Sequence, residues 1–347
     1  MRKLASIQKI SAIDPIPNAD AIEVATVLGW HVVIKKSEFK VGDMCIYCEV
    51  DSLLPVIPEL EFLAKAGTKK MVTEGKAYEG YRLRTVRLRG QISQGLCLPL
   101  SLLKEKASEF KEGDDISEAM GIIKYETPIP AELSGVIKGS FPSHIPKTDE
   151  ERIQTLPAIL ERYKGIKFYV TEKVDGTSCT VFIGKESKDI NVCSRNQNLK
   201  ETEGNSFWQI VKELGIQEKL MSMNGSIALQ GELIGNGVQG NKLMLGKRKL
   251  LLFNAYNVNE NRYLNFDEFF ALAAKFGLET VPIIDTSFML PKKVDDLVAY
   301  ATRKSMVSPD IWAEGVVIRP LIEMQDVDLG RLSFKVINPE FLLKYGD

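Results

Sequence analysis

The sequence predicts an α+β protein in two parts, a small N-terminal β-barrel and a larger domain built round antiparallel sheets. Three observations predict this. Roughly the first 125 residues form short alternating or apolar runs, a proline-rich segment follows, and the remainder alternates strands and helices without a regular βαβ period. A chain of 347 residues is also long enough for two domains.

The N-terminal part has the pattern of an OB-like (oligonucleotide-binding-type) barrel. Its strand candidates are short runs separated by Gly, Pro, Asp and Lys, namely ATVLGWHVVI, GDMCIYCEV, YRLRTVRLRGQ and GLCLPL. The spacing of apolar residues in SLLKEKASEF predicts a helix directly after them. Several short strands with one helix favour a small closed barrel over a sandwich.

The two parts are joined by a segment in which prolines 128, 130, 142 and 146 break regular structure. We therefore place the boundary between about residues 127 and 148 and take the domains as 1–130 and 131–347. Thr148 and Glu151 have the spacing of a capping box, which predicts a helix through ERIQTLPAILERY.

The second part alternates strand and helix candidates. The strand candidates are KFYVTEKV, SCTVFIG, INVCSRN, SIALQGELIG, KLLLFNAYNV and EGVVIRP, and the helix candidates are NSFWQIVKELGIQEKLMSM, FDEFFALAAKFG and KKVDDLVAYATRK. GNGVQG, residues 235–240, has the glycine spacing of a dinucleotide-binding fingerprint. A basic run and a strand follow it instead of a helix, so a loop between strands is the better interpretation.

Composition excludes several classes of function. The net charge is −1, so affinity for nucleic acid must come from local patches. No apolar run is long enough to cross a bilayer, and MRKLASIQKI lacks the apolar core of a signal peptide. Five irregularly spaced cysteines indicate reduced thiols in an intracellular, cytoplasmic protein. With two histidines in the chain, catalysis is expected to depend on lysine, carboxylates or a metal.

A basic run lies in the N-terminal part. YRLRTVRLRGQ contains Arg82, Arg84, Arg87 and Arg89, and on one strand Arg82 and Arg84 share a face, as do Arg87 and Arg89. The run fits an edge strand protected by charge. It fits equally a groove that follows a phosphate backbone on a barrel face, and the run alone does not decide between the two.

Charged residues interrupt the apolar strands of the second part. Lys173 stands between two acids, Glu172 and Asp175, in VTEKVDGTSCTVF. Further along, other strand candidates contain Arg195, Glu232, Glu314 and Lys335. Because a charge is costly to bury unpaired, five such residues in five β segments suggest convergence on one site. Two lysines, two glutamates and an arginine could hold a nucleoside triphosphate and Mg²⁺.

The order of these motifs resembles the covalent nucleotidyltransferase superfamily of DNA ligases, RNA ligases and capping enzymes. The set runs K-x-D-G (173–176), S-R-N, G-E-L, an aromatic strand, E-G-V-V-I and a last lysine strand, over roughly residues 170–338. An OB-like domain before the transferase domain, and a chain ending soon after the last motif, is similar to RNA ligases of the Naegleria type. YRLRTVRLRGQISQGLCLPL also resembles their N-terminal region.

The resemblance implies an ATP-dependent RNA ligase that forms a lysyl–AMP intermediate on Lys173. It implies that Asp175, Glu232 and Glu314 bind a hydrated Mg²⁺ or Mn²⁺ ion. It further implies that seven residues contact the nucleotide: Glu172, Arg195, Glu232, Tyr256, Phe253, Glu314 and Lys335. Of the two aromatic residues, Tyr256 is the first choice for stacking on adenine and Phe253 is the reserve. The RNA would be contacted by Arg82, Arg84, Arg87 and Arg89.

The sequence departs from the family pattern in two motifs. The last motif commonly has two lysines separated by one residue, whereas Lys335-Val336-Ile337, or Ser333 and Lys335 in a shifted register, supplies one. Asn257 replaces the usual aspartate of the aromatic motif.

Other functions stay open at this level. Within the superfamily, the rival functions are ligation of DNA nicks and capping of RNA. An inactive RNA-binding copy is another, although it would be expected to have lost Lys173 or a glutamate. The expected partner is RNA, either a nicked duplex or broken strand ends. The protein is expected to be a monomer that binds neither a membrane nor an obligate protein partner.

Overall fold

The computed structural model describes residues 2–73, 76–126, 136–184, 188–223 and 226–346, apart from the side chain of Glu105. The chain divides into two compact units. The first comprises Met1–Ile129, Ile153–Ile159 and Pro339–Asp347, and the second comprises Pro130–Arg152 and Leu160–Asn338.

Short strands dominate both units. The strands in chain order are β1 (Ala5–Pro15), β2 (Ile22–Val27), β3 (Trp30–Lys35), β4 (Met44–Cys48), β5 (Ser52–Pro55), β6 (Lys69–Thr73), β7 (Lys76–Arg82), β8 (Val86–Leu88), β9 (Gln91–Ser93), β10 (Leu96–Pro99), β11 (Ile123–Lys124), β12 (Ile137–Ser140), β13 (Glu151–Arg152), β14 (Lys167–Lys173), β15 (Thr177–Ile183), β16 (Ile190–Cys193), β17 (Gln197–Leu199), β18 (Ile227–Ile234), β19 (Lys249–Asn257), β20 (Arg262–Tyr263), β21 (Ile283–Met289), β22 (Gly315–Pro320), β23 (Gln325–Asp326), β24 (Gly330–Arg331) and β25 (Phe334–Ile337).

The helices are fewer and mostly short. They are α1 (Ala158–Arg162), α2 (Ser206–Glu213), α3 (Ile216–Met221), α4 (Phe266–Phe276), α5 (Val294–Ala301) and α6 (Pro339–Tyr345), with 3₁₀ helices at Pro58–Ala66, Leu100–Glu109, Ile153–Thr155 and Gln239–Asn241. None of the helices in the described ranges is both long and apolar enough to cross a membrane.

The first unit contains the predicted OB-like barrel. Its main sheet has the order β10-β4-β1-β2-β3, and a second sheet has the order β11-β5-β7-β6. β1 pairs with β4 through its first half and with β2 through its second half, because a bulge between Ile10 and Ala12 bends the strand. The backbone N–H of Gln94 donates to the carbonyl of His31, which holds the chain before β10 against β3.

Two local predictions for the first unit are wrong. SLLKEKASEF is a 3₁₀ helix whose course breaks at Lys104, where φ is 53° and ψ is −129°. YRLRTVRLRGQ is not one strand, because β7 ends at Arg82 and β8 begins at Val86. Arg89, with φ 49°, and Gly90, with φ 85°, then form the turn into β9. The four arginines therefore do not lie on the faces of a single strand.

The second unit is built mainly from two sheets, with β23 and β24 forming a separate two-stranded sheet, and the predicted largely antiparallel arrangement is confirmed. One has the order β12-β17-β16-β15-β18-β19-β20 and the other the order β13-β25-β22-β14-β21, in which β13 runs parallel to β25. Helices α2, α3 and α4 pack on one face of the larger sheet, where alternate residues such as Val181 and Leu229 are buried. Glu232 lies between Gly231 and Leu233 in β18, so its side chain is left for the opposite face.

The three helix candidates of the second part all contain helices. α4 lies within FDEFFALAAKFG and begins after Asn265, which forms a capping box with Glu268, and α5 falls within KKVDDLVAYATRK. NSFWQIVKELGIQEKLMSM forms two helices separated by Gly215, whose φ is 57°. The loop interpretation of GNGVQG is confirmed, since a 3₁₀ turn and then β19 follow it.

The predicted capping box at Thr148 and Glu151 is wrong. The Thr148 hydroxyl lies 2.7 Å from the hydroxyl oxygen of Ser178, and Glu151 begins the short strand β13. The helix starts only at Ala158. A contact 30 residues away along the chain has replaced the local cap. The start of the proline-rich segment, residues 127–135, lies outside the described residues.

Candidate active site

Lys173 is the last residue of β14 and lies where the two sheets of the second unit are joined by the chain. In the antiparallel pairing of β14 with β22, Lys173 is opposite Gly315, so Glu314 lies beside it. The Lys173 Nζ is 2.5 Å from the Glu314 Oε1, and about a quarter of the lysine side chain is exposed. The strand register therefore explains this ion pair between residues 141 positions apart.

Two glycines allow the close approach of strands round Lys173. A Cβ atom at Gly176 would lie 2.4 Å from the Leu233 carbonyl oxygen, next to Glu232. A Cβ atom at Gly315 would lie 2.1 Å from the Val336 carbonyl oxygen, next to Lys335. Larger residues at either position would separate the strands that carry the charged residues.

We expect Gly315→Ala to destabilise the second unit. The added methyl group would force β22 away from β25, at a cost on the order of 2–4 kcal/mol in the free energy of unfolding. Gly139→Ala in β12 is the matched control, because a Cβ atom there meets nothing within 4 Å. Urea unfolding of the two variants measures the difference. Equal midpoints would show that the close approach at Gly315 is not a constraint.

A second lysine also enters the cluster. The Lys242 Nζ lies 3.2 Å from the Asp175 Oδ1, and both side chains are largely buried. Glu232 is opposite Ser178 in β15, two residues from Gly176, which brings its carboxyl to the same end of the sheet. The sequence analysis missed Lys242; the one signal for it was the basic run after GNGVQG.

Burial and neighbouring carboxylates raise the pKa of two carboxyl groups in the cluster, Glu232 and Asp175. Burial raises the pKa of Glu232 to about 8, and Glu314 and Asp175 add to this while Lys173 opposes it. Burial, followed by Glu314, also raises the pKa of Asp175, against the opposing charges of Lys242 and Lys173. The cluster is therefore short of positive charge despite its two lysines.

The same charges hold Lys173 in its protonated form. Burial alone would lower its pKa, but Glu314, Glu232 and Asp175 outweigh burial, and the net effect is a raised pKa. An ammonium group has no lone pair for attack on an electrophile. Lys173 needs the carboxylates to be neutralised before it can act as a nucleophile.

The donor set fits a hydrated divalent cation. Asp175, Glu232 and Glu314 offer carboxylate oxygens, which are the ligands that Mg²⁺ and Mn²⁺ prefer. Within the described residues, no three His, Cys, Asp or Glu side chains are arranged to ligate one ion directly. An ion here would therefore keep water ligands between itself and some of the carboxylates, as Mg²⁺ usually does.

Lys335, the lysine of the last motif, lies near Lys173. It is opposite Val317 in the pairing of β25 with β22. Burial lowers its pKa to about 7, with a further contribution from the charge of Lys173. Ser333, in the slot of the first lysine in the shifted register, is buried and its Oγ accepts a hydrogen bond from the Arg319 Nε at 2.9 Å. Ile337, in the alternative slot, is buried as well.

Glu172 is on the opposite face of β14 from Lys173, since successive strand residues alternate. Its carboxylate accepts hydrogen bonds from the Ser305 hydroxyl and, at 2.7 Å, from the Met306 backbone N–H. Burial raises its pKa, although these hydrogen bonds oppose the rise. This buried carboxylate ties β14 to the 305–306 segment, and its contact with a nucleotide stays a prediction.

Arg195 lies in the turn between β16 and β17 and forms a two-pronged ion pair with Asp149. Its Nη2 is 2.5 Å from one carboxylate oxygen and its Nε is 3.2 Å from the other. Both side chains are about half exposed, so the arginine can exchange this partner for a ligand at little cost.

The aromatic candidates lie at different distances from the cluster. Tyr256 is opposite Ala228, four residues before Glu232 in β18, which corresponds to about 13 Å along the strand. Its ring is buried against that of Tyr263 and lines a polar cavity of about 780 Å³. Phe253 is half-buried at a bulge, two residues from Leu251, the partner of Glu232. Phe253 is therefore nearer than Tyr256 to Glu232 along the sheet, and which of the two contacts a nucleotide stays a prediction.

The four arginines of the first unit differ in their surroundings. Arg82 pairs with Asp51 at 3.0 Å and its guanidinium lies 4.4 Å from the centre of the Tyr125 ring. Arg87 pairs with Glu340 of α6. Arg84 and Arg89 are exposed, one before β8 and one in the turn after it.

Comparisons with known proteins identify both parts of the chain. Residues 4–100 match the model of an OB-fold domain, and residues 166–337 match the RNA ligase model. No curated protein sequence matches the chain. Among solved structures, Naegleria gruberi RNA ligase with PPi is 40% identical, with a TM-score of 0.87 over 99% of this chain and 98% of that one.

Mutant forms of the same enzyme match equally well. One with ATP and Mn is 40% identical, with a TM-score of 0.88 over 100% of both chains. Another, with AMP and Mn, is 39% identical, with a TM-score of 0.87 over 98% of both chains. The resemblance inferred from the motifs is confirmed, and with it the OB fold of the N-terminal part. This chain belongs to the RNA ligase family, together with the Naegleria gruberi enzyme.

Proposed function

We propose that this protein is an ATP-dependent RNA ligase that joins RNA 3′-hydroxyl and 5′-phosphate ends, as in RNA repair. The observation that carries the proposal is Lys173 in contact with Glu314 inside a carboxylate cluster, in a chain of the RNA ligase family. The Naegleria gruberi relatives have been solved with ATP, AMP, PPi and Mn, which supports ATP as the AMP donor and Mg²⁺ or Mn²⁺ as the metal here.

The reaction transfers one phosphorus atom twice before sealing. The neutral amine of Lys173 attacks the α-phosphorus of ATP, forming an N–P bond as the bond to the β-phosphate oxygen breaks and pyrophosphate leaves. The amine loses its remaining extra proton to solvent. An oxygen of the RNA 5′-phosphate next attacks the same phosphorus, the N–P bond breaks, and the departing amine takes up a proton from solvent, which restores Lys173. The RNA 3′-hydroxyl then attacks the 5′-phosphorus, loses its proton and releases AMP.

Five charged side chains besides Lys173 have a role in this scheme. Asp175, Glu232 and Glu314 would hold the hydrated ion, which when bound supplies positive charge against the developing charge of the α-phosphate. Lys335, with a pKa near 7 and close to Lys173, would contact the same phosphate. Arg195 would exchange Asp149 for the ribose or the RNA end.

The remaining nucleotide contacts are assigned by position. Phe253 is our choice for stacking on adenine and Tyr256 is the reserve, which reverses the order expected from the sequence. Glu172 would act mainly through the backbone, since its carboxylate is occupied by Ser305 and Met306.

We assign RNA binding to residues 1–130 and adenylyl transfer to residues 131–347. The enzyme is expected to act as a cytoplasmic monomer on nicked duplexes or broken strands, without an obligate protein partner. In the first unit, Arg84 and Arg89 are exposed, whereas Arg82 and Arg87 would have to exchange an acidic partner before contacting phosphate.

We expect the double substitution of Arg84 and Arg89 by Ala to weaken RNA binding about 10-fold at 0.1 M salt. The slope of log K against log salt concentration should decrease by the equivalent of about two phosphate contacts. Protein adenylylation with ATP should not change. The matched control replaces Lys36 and Lys40, two exposed lysines of the same unit, by Ala. Fluorescence anisotropy with a nicked RNA duplex over a salt series measures the effect. Equal losses in both double variants would indicate a general charge effect instead of a binding surface.

The test of the proposed function is transfer of label from ATP labelled at the α-phosphate to the protein, followed by sealing of defined ends. Label on the protein and sealing of an RNA nick are expected. Three acceptors are compared, an RNA nick, a DNA nick of the same sequence and two single RNA strands. Faster sealing of the DNA nick would replace RNA by DNA as the substrate. Protein that is free of AMP by mass and accepts no label would refute the ligase mechanism.

A further inference from the structure

Lys242 is a part of the charged cluster to which the proposed reaction gives no role. It stands in the loop between β18 and β19, 67 residues from Asp175 in the chain, and its Nζ lies 3.2 Å from the Asp175 Oδ1. Both side chains are mostly covered, with 28% of the lysine and 11% of the aspartate exposed. The pair is therefore partly shielded from the solvent that weakens surface ion pairs.

The loop has a defined shape that presents Lys242 to Asp175. Asn241 precedes it with a φ of 47°, and the Asn241 side chain accepts a hydrogen bond from the Leu245 N–H and donates one to the Leu245 carbonyl. Leu243, the next residue, is buried in the second unit. Gly235 starts the loop with a φ of 103°, where a Cβ atom would lie 2.2 Å from the Lys247 carbonyl oxygen. The lysine is thus held from both sides.

Two of the three carboxylates in the cluster form an ion pair with a lysine. Glu314 contacts Lys173 and Asp175 contacts Lys242, so each of these carboxylates already has an ammonium partner. A divalent cation that uses Asp175 must share it with Lys242 or displace it. An ammonium group left at 3 Å from a metal-bound carboxylate would repel the ion strongly in a partly buried site.

We propose that Lys242 is a counter-ion built into the metal site, which neutralises Asp175 in the metal-free enzyme and leaves it when the divalent cation binds. The inference rests on the proposed function, because it takes Asp175 as one of the metal-binding carboxylates. Lys242 is a positioning residue in this scheme. It keeps Asp175 in place before the ion arrives and lowers the affinity for the ion by competing with it.

Metal affinity separates this role from a purely structural one. Removing Lys242 leaves the largely covered Asp175 carboxylate without this partner and lowers the stability of the fold in either case, so the melting temperature does not separate the two roles. A structural role would leave the affinity for Mn²⁺ unchanged or reduce it, as the site loosens. Competition predicts the opposite sign, because removing one positive charge from Asp175 favours a second positive ion there.

The experiment is titration of AMP-free protein with Mn²⁺ alone, with free Mn²⁺ measured by electron paramagnetic resonance. We expect Lys242→Met to bind Mn²⁺ about 5- to 20-fold more tightly than the wild type. Lys242→Arg keeps the charge and should stay within about 3-fold of the wild type. Lys247→Met removes the same charge from an exposed lysine of the same loop and should change the affinity less than 2-fold.

The outcomes distinguish the inference from the function on which it rests. Asp175→Asn is measured in parallel and should lose Mn²⁺ affinity. If it does, and Lys242→Met binds Mn²⁺ no more tightly than the wild type, the counter-ion role is refuted while the metal site stands. If Mn²⁺ binding does not depend on Asp175, the metal assignment is refuted and the inference with it. Tighter binding in both Lys242→Met and Lys247→Met would also refute it, since the effect would then be non-specific.

Discussion

Lys173→Ala is expected to abolish transfer of AMP from ATP to the protein, with a loss of at least about 10⁴-fold in labelling rate, because no other group replaces a covalent nucleophile. Lys335 does not substitute for it, although burial lowers its pKa to about 7 and it lies near Lys173. It lies on β25, opposite Val317 of β22, and not at the end of β14 where Lys173 lies. The measurement is the rate of label incorporation from ATP labelled at the α-phosphate.

The same variant should retain the final sealing step. RNA that already carries AMP on its 5′-phosphate needs no lysine nucleophile, so Lys173→Ala should seal a pre-adenylylated nick at a measurable rate. Lys167→Ala, at the exposed start of the same strand, is the control for the strand itself and should behave as the wild type in both assays. Loss of both activities in Lys173→Ala would point to disruption of the cluster, since its ion pair with Glu314 is lost as well. Unchanged labelling would exclude Lys173 as the nucleophile.

The sequence predicted those parts of the molecule that depend on short-range pattern. α4 follows from apolar spacing within one segment, and β14 and β15 follow from alternation on either side of the K-x-D-G turn. The convergence of Lys173, Glu232 and Glu314 was predictable because isolated charges in apolar strands need partners. In each case the information lies within about a dozen residues or in the cost of burial.

What the sequence could not predict depends on contacts between distant residues. The Thr148 cap failed because Ser178 binds its hydroxyl, and the salt bridge of Lys242 with Asp175 spans 67 residues without a motif. The positions of Tyr256 and Phe253 relative to Glu232 depend on the register of β18 and β19, including a bulge that one sequence does not reveal, and the choice between the two stays a prediction.

Glu232→Gln should stabilise the metal-free protein while removing its activity. Burial raises the pKa of Glu232 to about 8, against about 4.5 for the unfolded chain. Between these values the folded state binds more protons than the unfolded state, so the free energy of unfolding falls as pH rises. Above pH 8 the folded state must hold the ionised carboxylate, whereas Gln is neutral at every pH. The variant should therefore gain on the order of 2–4 kcal/mol at pH 8 and little at pH 4.5.

The gain should depend on the absence of metal, which makes the experiment specific to the site. Urea unfolding in EDTA at pH 5 and pH 8 measures it, with Glu213→Gln as the control because Glu213 is exposed on α2. Saturating Mg²⁺ should stabilise the wild type by binding the folded state and should narrow or reverse the difference. Label transfer from ATP should fall at least about 100-fold in Glu232→Gln, since a carboxylate that would hold the ion is gone. If the variant is less stable than the wild type at pH 8 in EDTA, the prediction is wrong. Ionised Glu232 would then stabilise the metal-free fold instead of destabilising it.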